Sequence, residues 1–133
     1  MEIDVIEYES CSAAGLNLTQ LRQALVNYES GLVKNCFPGS DIDTWIGKVD
    51  AIESTDSLGK WQSRNNALAA LGLEQGNLLT TLSSLLTKYG ATRCGVVMGS
   101  STSSIDRTET AYTDLDENGA LKSEYSQPLV HNP

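Results

Sequence analysis

Apolar and polar positions recur along this chain in patterns that predict both strands and helices. Residues 3–7 alternate the two classes, which predicts a first strand. Asn17 is then placed to cap a helix, with Gln20 as its reciprocal partner in a capping box. Gly31 is placed to end that helix in a left-handed conformation. Apolar side chains at near-helical spacing support the same helix: Leu18, Leu21, Leu25 and Tyr28.

A second helical region is predicted to begin at a Ser63 cap and to end at Gly90. Gly72 and Gly76 weaken or kink it on the way. Its last part carries a clear apolar stripe, formed by Leu78, Leu82, Leu85, Leu86 and Tyr89. Residues 45–52 form a weaker strand candidate, and the polar C-terminal quarter of the chain predicts neither a helix nor a strand.

The most informative stretch is an apolar run, residues 94–98, followed by a Gly/Ser/Thr loop at residues 99–104. The run has no polar alternation, so both of its faces should be covered, as in a central strand of a parallel sheet. In open α/β sheets, ligands bind just past the carboxyl ends of such strands. The pattern therefore predicts an α/β fold with a mostly parallel sheet, and a functional loop at residues 99–104.

Composition and charge narrow the classes of function. A chain of 133 residues with 40% hydrophobic and 20% charged residues fits one globular domain over residues 1–133. A net charge of −8, with scattered basic residues, disfavours nucleic acid as a partner. No apolar run is long enough for membrane insertion, and the acidic N-terminus is unlike a signal peptide, so we expect a cytoplasmic protein. Its dispersed cysteines, Cys11, Cys36 and Cys94, are predicted to be buried, reduced thiols.

Residues 114–121 follow the opening of a calcium-binding loop, with acidic and amide residues at alternate positions and a glycine for the turn. The twelfth position of such a loop should hold a bidentate glutamate, but here it is Tyr125. Glu124 comes one place early, and Lys122 puts a positive charge inside the loop. A solvated acidic turn is therefore the favoured interpretation, and a small calcium-binding domain that uses Asp114 to Gly119 is the alternative.

No complete active site can be assembled from the residue types in the chain. The serines after Gly99 lack the second glycine of a hydrolase nucleophile elbow, and the only histidine, His131, is close to the C-terminus. Cys94 lies inside the predicted strand without a neighbouring histidine, so it is expected to be structural. One histidine and dispersed cysteines also give too few ligands for a metal site.

The order of several segments resembles the N-terminal portion of the β-ketoacyl-acyl-carrier-protein synthases, which are thiolase-fold condensing enzymes. The resemblance extends over essentially the whole chain. The blocks at residues 63–69 and 95–105 are the more specific ones. The blocks, in order, are residues 11–15, 28–32, 43–50, 63–69, 95–105 and 125–133.

The resemblance implies a partial thiolase-like fold, incomplete in this chain. It also implies a decarboxylative condensation in which a cysteine thiolate carries the acyl group and two histidines assist the malonyl thioester. The family's cysteine and histidines lie beyond Pro133, so Cys94 and His131 do not match them and no catalytic residue is carried over. The resemblance implies no cofactor and no metal.

One site is carried over. In the family, the loop that matches residues 99–104 lies beside the acyl pocket, and we call this segment the acyl-pocket loop. Its candidate substrate-binding residues are Gly99, Ser100, Ser101, Thr102 and Ser103. Thr102 departs from the family pattern, because the matching position is often apolar and lines the pocket.

We therefore expect an N-terminal fragment of a synthase of fatty-acid or polyketide assembly, inactive by itself. The expected partners are acyl carrier protein and either the remainder of the synthase or a second copy in a homodimer. A non-catalytic subunit of the chain-length-factor type is an alternative with the same fold. We also expect the isolated chain to self-associate or to be poorly soluble, because an incomplete sheet leaves an open edge and uncovered apolar surface.

Overall fold

The structure is a computed structural model that describes residues 3–52, 56–100 and 104–125. Its elements in chain order are α1 (Leu18–Val26), β1 (Leu32–Lys34), β2 (Trp45–Gly47), α2 (Arg64–Glu74), α3 (Leu78–Tyr89) and α4 (Ile105–Thr113). Short 3₁₀ helices occupy Asp56–Trp61 and Ala91–Arg93. Two compact units contain these elements: the first unit lies within residues 1–51 and 70–95, and the second unit within residues 52–69 and 96–133. None of the described helices is long and apolar enough to cross a membrane.

The sheet of the described chain has two strands, β1 and β2, which pair antiparallel with Val33 opposite Ile46. The predicted mixture of helices and strands is confirmed, but the predicted mostly parallel sheet is wrong for the described residues. Neither residues 3–7 nor residues 94–98 have a ladder partner among them. An apolar pattern favours an extended segment, but a strand also needs a neighbour to pair its backbone groups. The strand candidate at 45–52 is confirmed only over Trp45–Gly47.

Helix α1 begins as its sequence predicts. The Asn17 side chain accepts a hydrogen bond from the Gln20 N–H at 2.9 Å, and the Gln20 side chain accepts one from the Leu16 N–H at 2.9 Å. The first bond satisfies an N–H group that the helix itself leaves unpaired, and the second reaches the residue before the cap instead of the cap itself.

Helix α1 ends earlier than predicted, and Gly31 does not end it. The helix stops at Val26, and Tyr28 is the residue with a left-handed φ of 56°. Gly31 instead lies so close to the backbone of Ala13 and Ala14 that a Cβ would overlap it. The glycine is therefore required by close packing between segments, which the local sequence pattern does not reveal.

Helices α2 and α3 form with the predicted end signals. The Ser63 side chain accepts a hydrogen bond from the Asn66 N–H at 3.0 Å, which caps α2. Gly76 adopts a φ of 59° between the two helices, so the predicted weak point separates α2 from α3. Gly90, with a φ of 80°, follows the last residue of α3 and donates its N–H to the Leu86 carbonyl at 2.9 Å.

Helix α4 was not predicted, because its sequence is polar and rich in threonine, a poor helix former. Three of its threonine hydroxyls donate to carbonyls four residues earlier: Thr108 to Ser104, Thr110 to Asp106 and Thr113 to Glu109. Ala111 is only 2% exposed, so one face of α4 is packed. Tertiary packing therefore supports a helix that propensity alone does not.

The buried apolar residues of the described chain are small: Ala24, Val49, Ala67 and Ala111. Burial of an alanine methyl stabilises a fold much less than burial of a leucine or a phenylalanine. Many large apolar side chains are exposed instead, among them Ile3, Val5, Leu25, Val26, Val96 and Val97. Many large apolar side chains of the described residues are thus uncovered.

Candidate functional site

The second unit brings residues 100 and 104, which flank positions 101–103 of the predicted loop, to the start of α2. We call the six residues that meet there the cap cluster: Ser63, Arg64, Asn65, Ser100, Ser104 and Asp106. They come from two segments that lie 35 to 42 positions apart in the chain. Three hydrogen bonds join the two segments.

The most buried of these bonds joins Ser104 to Ser63. The Ser104 hydroxyl donates to Ser63 Oγ at 3.1 Å, and the two residues are 0% and 3% exposed. Because Ser63 Oγ also accepts from the Asn66 N–H, one oxygen both caps α2 and holds the start of α4. Buried hydroxyls need such partners, since an unsatisfied one costs about 1–3 kcal/mol.

Ser104 has a left-handed backbone, with φ 50° and ψ 36°. That conformation is unfavourable for a residue other than glycine, by roughly 1–2 kcal/mol. The Ser104 carbonyl accepts from the Arg107 N–H at 3.1 Å and from the Thr108 N–H at 3.2 Å. The contacts around Ser104 thus stabilise a turn that redirects the chain from the loop into α4.

The second bond of the cap cluster is made by the Asp106 carboxylate, whose Oδ2 accepts from the Arg64 N–H at 3.0 Å. Arg64 is the first residue of α2, and Asp106 lies in the first turn of α4. A negative charge is favourable at a helix N-terminus, where unpaired N–H groups give a partial positive charge. The carboxylate therefore stabilises the starts of both helices.

The third bond involves the predicted loop at residues 99–104. The Ser100 hydroxyl donates to Asn65 Oδ1 at 2.7 Å. Gly99 and Ser100 are exposed, whereas the candidate residues Ser101, Thr102 and Ser103 lie outside the described residues. The two described ends of the loop, at Ser100 and Ser104, are thus both bonded to the first turn of α2.

The hydrogen bonds of the cap cluster hold two chain segments in place. The groups that meet in it are hydroxyls, a carboxamide, the backbone N–H of Arg64 and one carboxylate, and no histidine or cysteine is among the six residues. The Ser104 hydroxyl is turned into the protein toward Ser63, so it is not exposed for nucleophilic attack. His131, the only histidine in the sequence, lies outside the described residues.

The acidic turn at residues 114–121 is a small hairpin stabilised by its own groups. Leu115 and Leu121 form an antiparallel bridge across it. The Asp116 carboxylate accepts from the N–H groups of Asn118 and Ala120 at 2.9 and 2.8 Å, and Gly119 supplies a φ of 76°. These contacts form an ordinary tight turn and agree with the favoured interpretation of the sequence.

Asp114 closes the base of this hairpin. Its carboxylate forms an ion pair with Lys122 and accepts a hydrogen bond from the Tyr125 hydroxyl at 2.7 Å. Lys122 first, and Tyr125 second, lower the pKa of Asp114, and the same contact raises the pKa of Lys122 and of Tyr125. The carboxylate that would begin a calcium site thus already has an internal cation as its partner. Within the described ranges, no group of three or more His, Cys, Asp or Glu side chains is arranged to hold a metal ion.

The three cysteines differ in burial. Burial, and then the charge of Glu9, raise the pKa of the Cys11 thiol, which keeps it protonated at neutral pH. Cys11 and Cys94 are partly buried, but Cys36 is exposed, so the prediction of buried thiols is wrong for Cys36. All three are free thiols.

The first unit contains an open groove of about 490 Å³ between the small-residue turn at 12–16 and residues 48–51. Its charged lining residues are Glu29, Lys48 and Asp50, of which the last two form an ion pair at 2.5 Å. No histidine or cysteine is among the residues that line this groove. Its position was not predicted, although the small residues of the turn were recognised.

Comparisons of the chain with protein-family models, with curated proteins and with solved structures found no match. Function must therefore be argued from the residues and their geometry. The sequence-based prediction of a cap at Ser63 is confirmed, whereas the functional loop at residues 99–104 stays a prediction. The contacts of Asn65 and Asp106 were not predicted. A carboxylate two residues after Ser104 was the available signal, and only the fold shows that it caps α2.

Proposed function

We propose that this chain is the N-terminal part of a β-ketoacyl-acyl-carrier-protein synthase, with a partial thiolase-like fold. The supporting observation is the cap cluster. Residues 63–69 and 95–105 are the two more specific blocks of the resemblance, and they are far apart in the chain. Three hydrogen bonds link them through Ser63, Arg64 and Asn65. These hydrogen bonds are the kind of contact by which a helix can hold a neighbouring loop in one position.

The distribution of apolar residues supports the same proposal. Val97 is completely exposed, and Ile3 and Val5 are about as exposed as in an unfolded chain, at 76% and 80%. These residues belong to the two segments whose patterns favour strands but which have no ladder partner in the described chain. Further polypeptide of a complete synthase, or a second copy, would cover them.

The reaction proposed for the parent enzyme is a decarboxylative Claisen condensation. An acyl group passes from a carrier thioester to a cysteine thiolate, and the carrier thiol leaves. Loss of CO₂ from a malonyl thioester yields a carbanion, which attacks the acyl-cysteine carbonyl. The new carbon–carbon bond gives a 3-oxoacyl thioester, and the cysteine thiolate is released. None of the reacting protein groups lies in this chain, so the 133 residues alone are expected to be inactive.

Within this proposal the chain contributes one wall of the acyl pocket. Gly99, Ser100, Ser101, Thr102 and Ser103 would contact the acyl group, and the cap cluster would hold the segment that contains them. Acyl carrier protein is the partner that delivers both substrates, and the cytoplasm is where the proposal places the reaction. The product would enter fatty-acid or polyketide assembly.

The test is an activity assay on the protein encoded by the complete open reading frame. Purified protein is mixed with acyl and malonyl thioesters of a carrier protein, and CO₂ release and the 3-oxoacyl product are measured together. Production of both in equal amounts supports the proposal. An open reading frame without a downstream cysteine, whose product releases no CO₂, would favour the chain-length-factor-type alternative. A complete frame with cysteine and histidines but no condensation would contradict the proposal.

A further inference from the structure

We infer that Asn118 is a deamidation site whose reaction rate is set by the hairpin of residues 114–121. Of the asparagines in the sequence, only Asn118 is followed by a glycine. It lies at the tip of the hairpin, and the residue is exposed. The reacting groups are the Asn118 carboxamide and the backbone nitrogen of Gly119, and the co-reactant is water.

The reaction joins two atoms of adjacent residues. The Gly119 nitrogen gives up its proton to solvent and attacks Cγ of Asn118, which closes a five-membered succinimide ring. The bond from Cγ to Nδ2 breaks, and ammonia leaves with a proton from solvent. Water then opens the ring at one of two bonds. Cleavage between the nitrogen and Cγ gives aspartate, and cleavage between the nitrogen and the main-chain carbonyl carbon gives isoaspartate.

The hairpin requires the same residue that makes this chemistry easy. Glu117, Asn118 and Gly119 form the loop between Asp116 and Ala120, and Gly119 adopts a φ of 76°. Glycine is favoured at a left-handed position of such a loop, because it has no Cβ. The missing Cβ also leaves the glycine nitrogen unhindered for attack on the carboxamide before it. The turn therefore keeps a labile dipeptide in the chain.

The closed hairpin restrains the reaction. The Gly119 N–H donates to the Asp116 carbonyl at 3.0 Å, which holds the attacking nitrogen against a different partner. The Asp116 carboxylate also accepts from the N–H groups of Asn118 and Ala120 at 2.9 and 2.8 Å. Cyclisation requires the Gly119 nitrogen to lose its proton and to move toward Cγ of Asn118, so its bond to Asp116 must break. The reaction therefore proceeds from the open hairpin, and its rate follows the open fraction.

Deamidation changes the hairpin permanently. Either product places a carboxylate beside Asp116 and Glu117, in a chain whose net charge is already −8. Isoaspartate also adds one carbon atom to the backbone of the loop, which lengthens the connection between the bridged residues Leu115 and Leu121. Modified chains should therefore open the hairpin more often than unmodified ones.

Peptide mass spectrometry of the 133-residue chain tests the site. The protein is incubated at neutral pH, both folded and in guanidinium chloride, and the conversion of each asparagine is followed with time. In the denatured chain, Asn118 should convert faster than Asn77, an exposed asparagine that is followed by Leu78. In the folded chain, the rate at Asn118 should be at least about fivefold lower, the factor typical of one intact hydrogen bond.

Two variants change the open fraction, and a third is their matched control. Asp116→Ala removes both bonds that the carboxylate accepts, so the folded rate should rise at least about fivefold. Lys122→Met removes only the ion pair at the base of the hairpin, so the rise should be about twofold. Glu117→Gln changes a side chain of the same loop that takes part in none of these bonds, and it should leave the rate unchanged.

Each folded rate is divided by the rate of the same variant in guanidinium chloride, which cancels any change in intrinsic reactivity. Circular dichroism establishes that the helices remain, so that a faster rate reports the hairpin and not global unfolding. If Asp116→Ala loses its helices, Lys122→Met decides the question.

Release of Asn118 by Asp116→Ala or Lys122→Met, but not by Glu117→Gln, supports the inference. Equal rates at Asn118 in the folded and the denatured wild-type chain would overturn control by the hairpin. An unchanged rate in both Asp116→Ala and Lys122→Met would overturn it too. A denatured chain in which Asn118 converts no faster than Asn77 would overturn the site itself.

Discussion

The Ser104 hydroxyl donates a hydrogen bond to Ser63 Oγ at 3.1 Å, although the two residues lie 41 positions apart. Both side chains are buried, and Ser63 Oγ also accepts from the N–H of Asn66. A single hydroxyl oxygen therefore joins the start of α2 to the residue from which α4 begins. A polar contact buried this deeply stabilises only if its groups remain paired, which makes it a sensitive point for substitution.

Replacement of Ser63 by alanine removes the cap of α2 and takes an acceptor away from Ser104. We expect the free energy of unfolding to fall by about 1–3 kcal/mol. Urea denaturation followed by the fluorescence of Trp61, which lies just before the cap, measures the change. Ser83→Ala, at an exposed position of α3, is the matched control and should shift the free energy by less than about 0.5 kcal/mol. Equal denaturation midpoints for the two variants would contradict the cap.

Replacement of Gly31 by alanine should destabilise the first unit, because the added Cβ would overlap the backbone of Ala13 and Ala14. Neither backbone segment can give way as the end of a side chain can, so we expect a loss of about 1–3 kcal/mol. Gly95→Ala is the control, since a Cβ there meets no atom within 4 Å. Thermal unfolding followed by circular dichroism compares the two variants. Identical melting temperatures would show that Gly31 is not closely packed.

The hairpin that Asp114 closes should lose stability in acid. Its contact with Lys122, and then with Tyr125, lowers the pKa of Asp114 from the ordinary value of 3.8. A carboxyl group whose pKa is lower in the folded state stabilises that state fully above its ordinary pKa, and the contribution disappears as the pH falls through the lowered value. Titration of the Asp114 carboxyl carbon by NMR should therefore show a midpoint below 3.8.

Lys122→Met should move this midpoint back toward the ordinary value, because the main cause of the shift is removed. Glu117→Gln, in the same turn, is the control and should leave it in place. At high pH, stability falls as the pH rises instead of as it drops. The contact with Asp114 raises the pKa of Lys122 above 10.5 and that of Tyr125 above 10.0, so their contribution is lost as the pH rises through the raised values. An Asp114 midpoint that is the same in wild type and Lys122→Met would refute the ion pair.

Calcium should leave the fluorescence of Trp45 and Trp61 and the melting temperature unchanged. The Asp114 carboxylate already pairs with Lys122, and a calcium loop lacks its closing ligand at Tyr125. Titration with calcium chloride, followed by addition of a chelator, is the measurement. A saturable rise in melting temperature that the chelator reverses would support the calcium-binding alternative instead.

The isolated chain should self-associate at micromolar concentration through its uncovered apolar segments. Val97 is the most exposed of these residues, so Val97→Lys should reduce the average molar mass in size-exclusion chromatography with light scattering. Ser83→Lys adds the same charge on α3 and should not. A sharp monomer peak for the wild-type chain over the micromolar range would count against the proposal that further polypeptide covers this surface.

The parts of the fold that the sequence predicts correctly depend on near neighbours. Asn17 and Ser63 cap helices through residues three positions later, and Gly90 ends α3 through the carbonyl of Leu86. The interactions that decide these ends lie within one helical turn. A reading of residue types at fixed spacing is therefore sufficient for them.

The wrong predictions involve distant partners. The apolar run at 94–98 has the composition of a strand. Whether it forms one depends on a second strand that pairs with its backbone, and the run's own sequence does not specify that partner. Gly31 has the character of a helix stop, yet it is needed where the backbone of Ala13 passes close by. Helix α4 has poor propensity and forms with support from Ser104 and the packing of Ala111.

The candidate site also combines local interactions, which the sequence predicts, with long-range ones, which it does not. Residue types alone predicted the cap at Ser63 correctly, because cap chemistry is local, whereas the functional loop at residues 99–104 stays a prediction. Only the tertiary structure decided that Asn65 and Asp106 join them, since those contacts span 35 and 42 positions. A hydrogen bond between distant segments forms only when folding brings its donor and acceptor within about 3 Å of each other. That distance cannot be predicted from a local sequence pattern, because it depends on the path of the chain between the two segments.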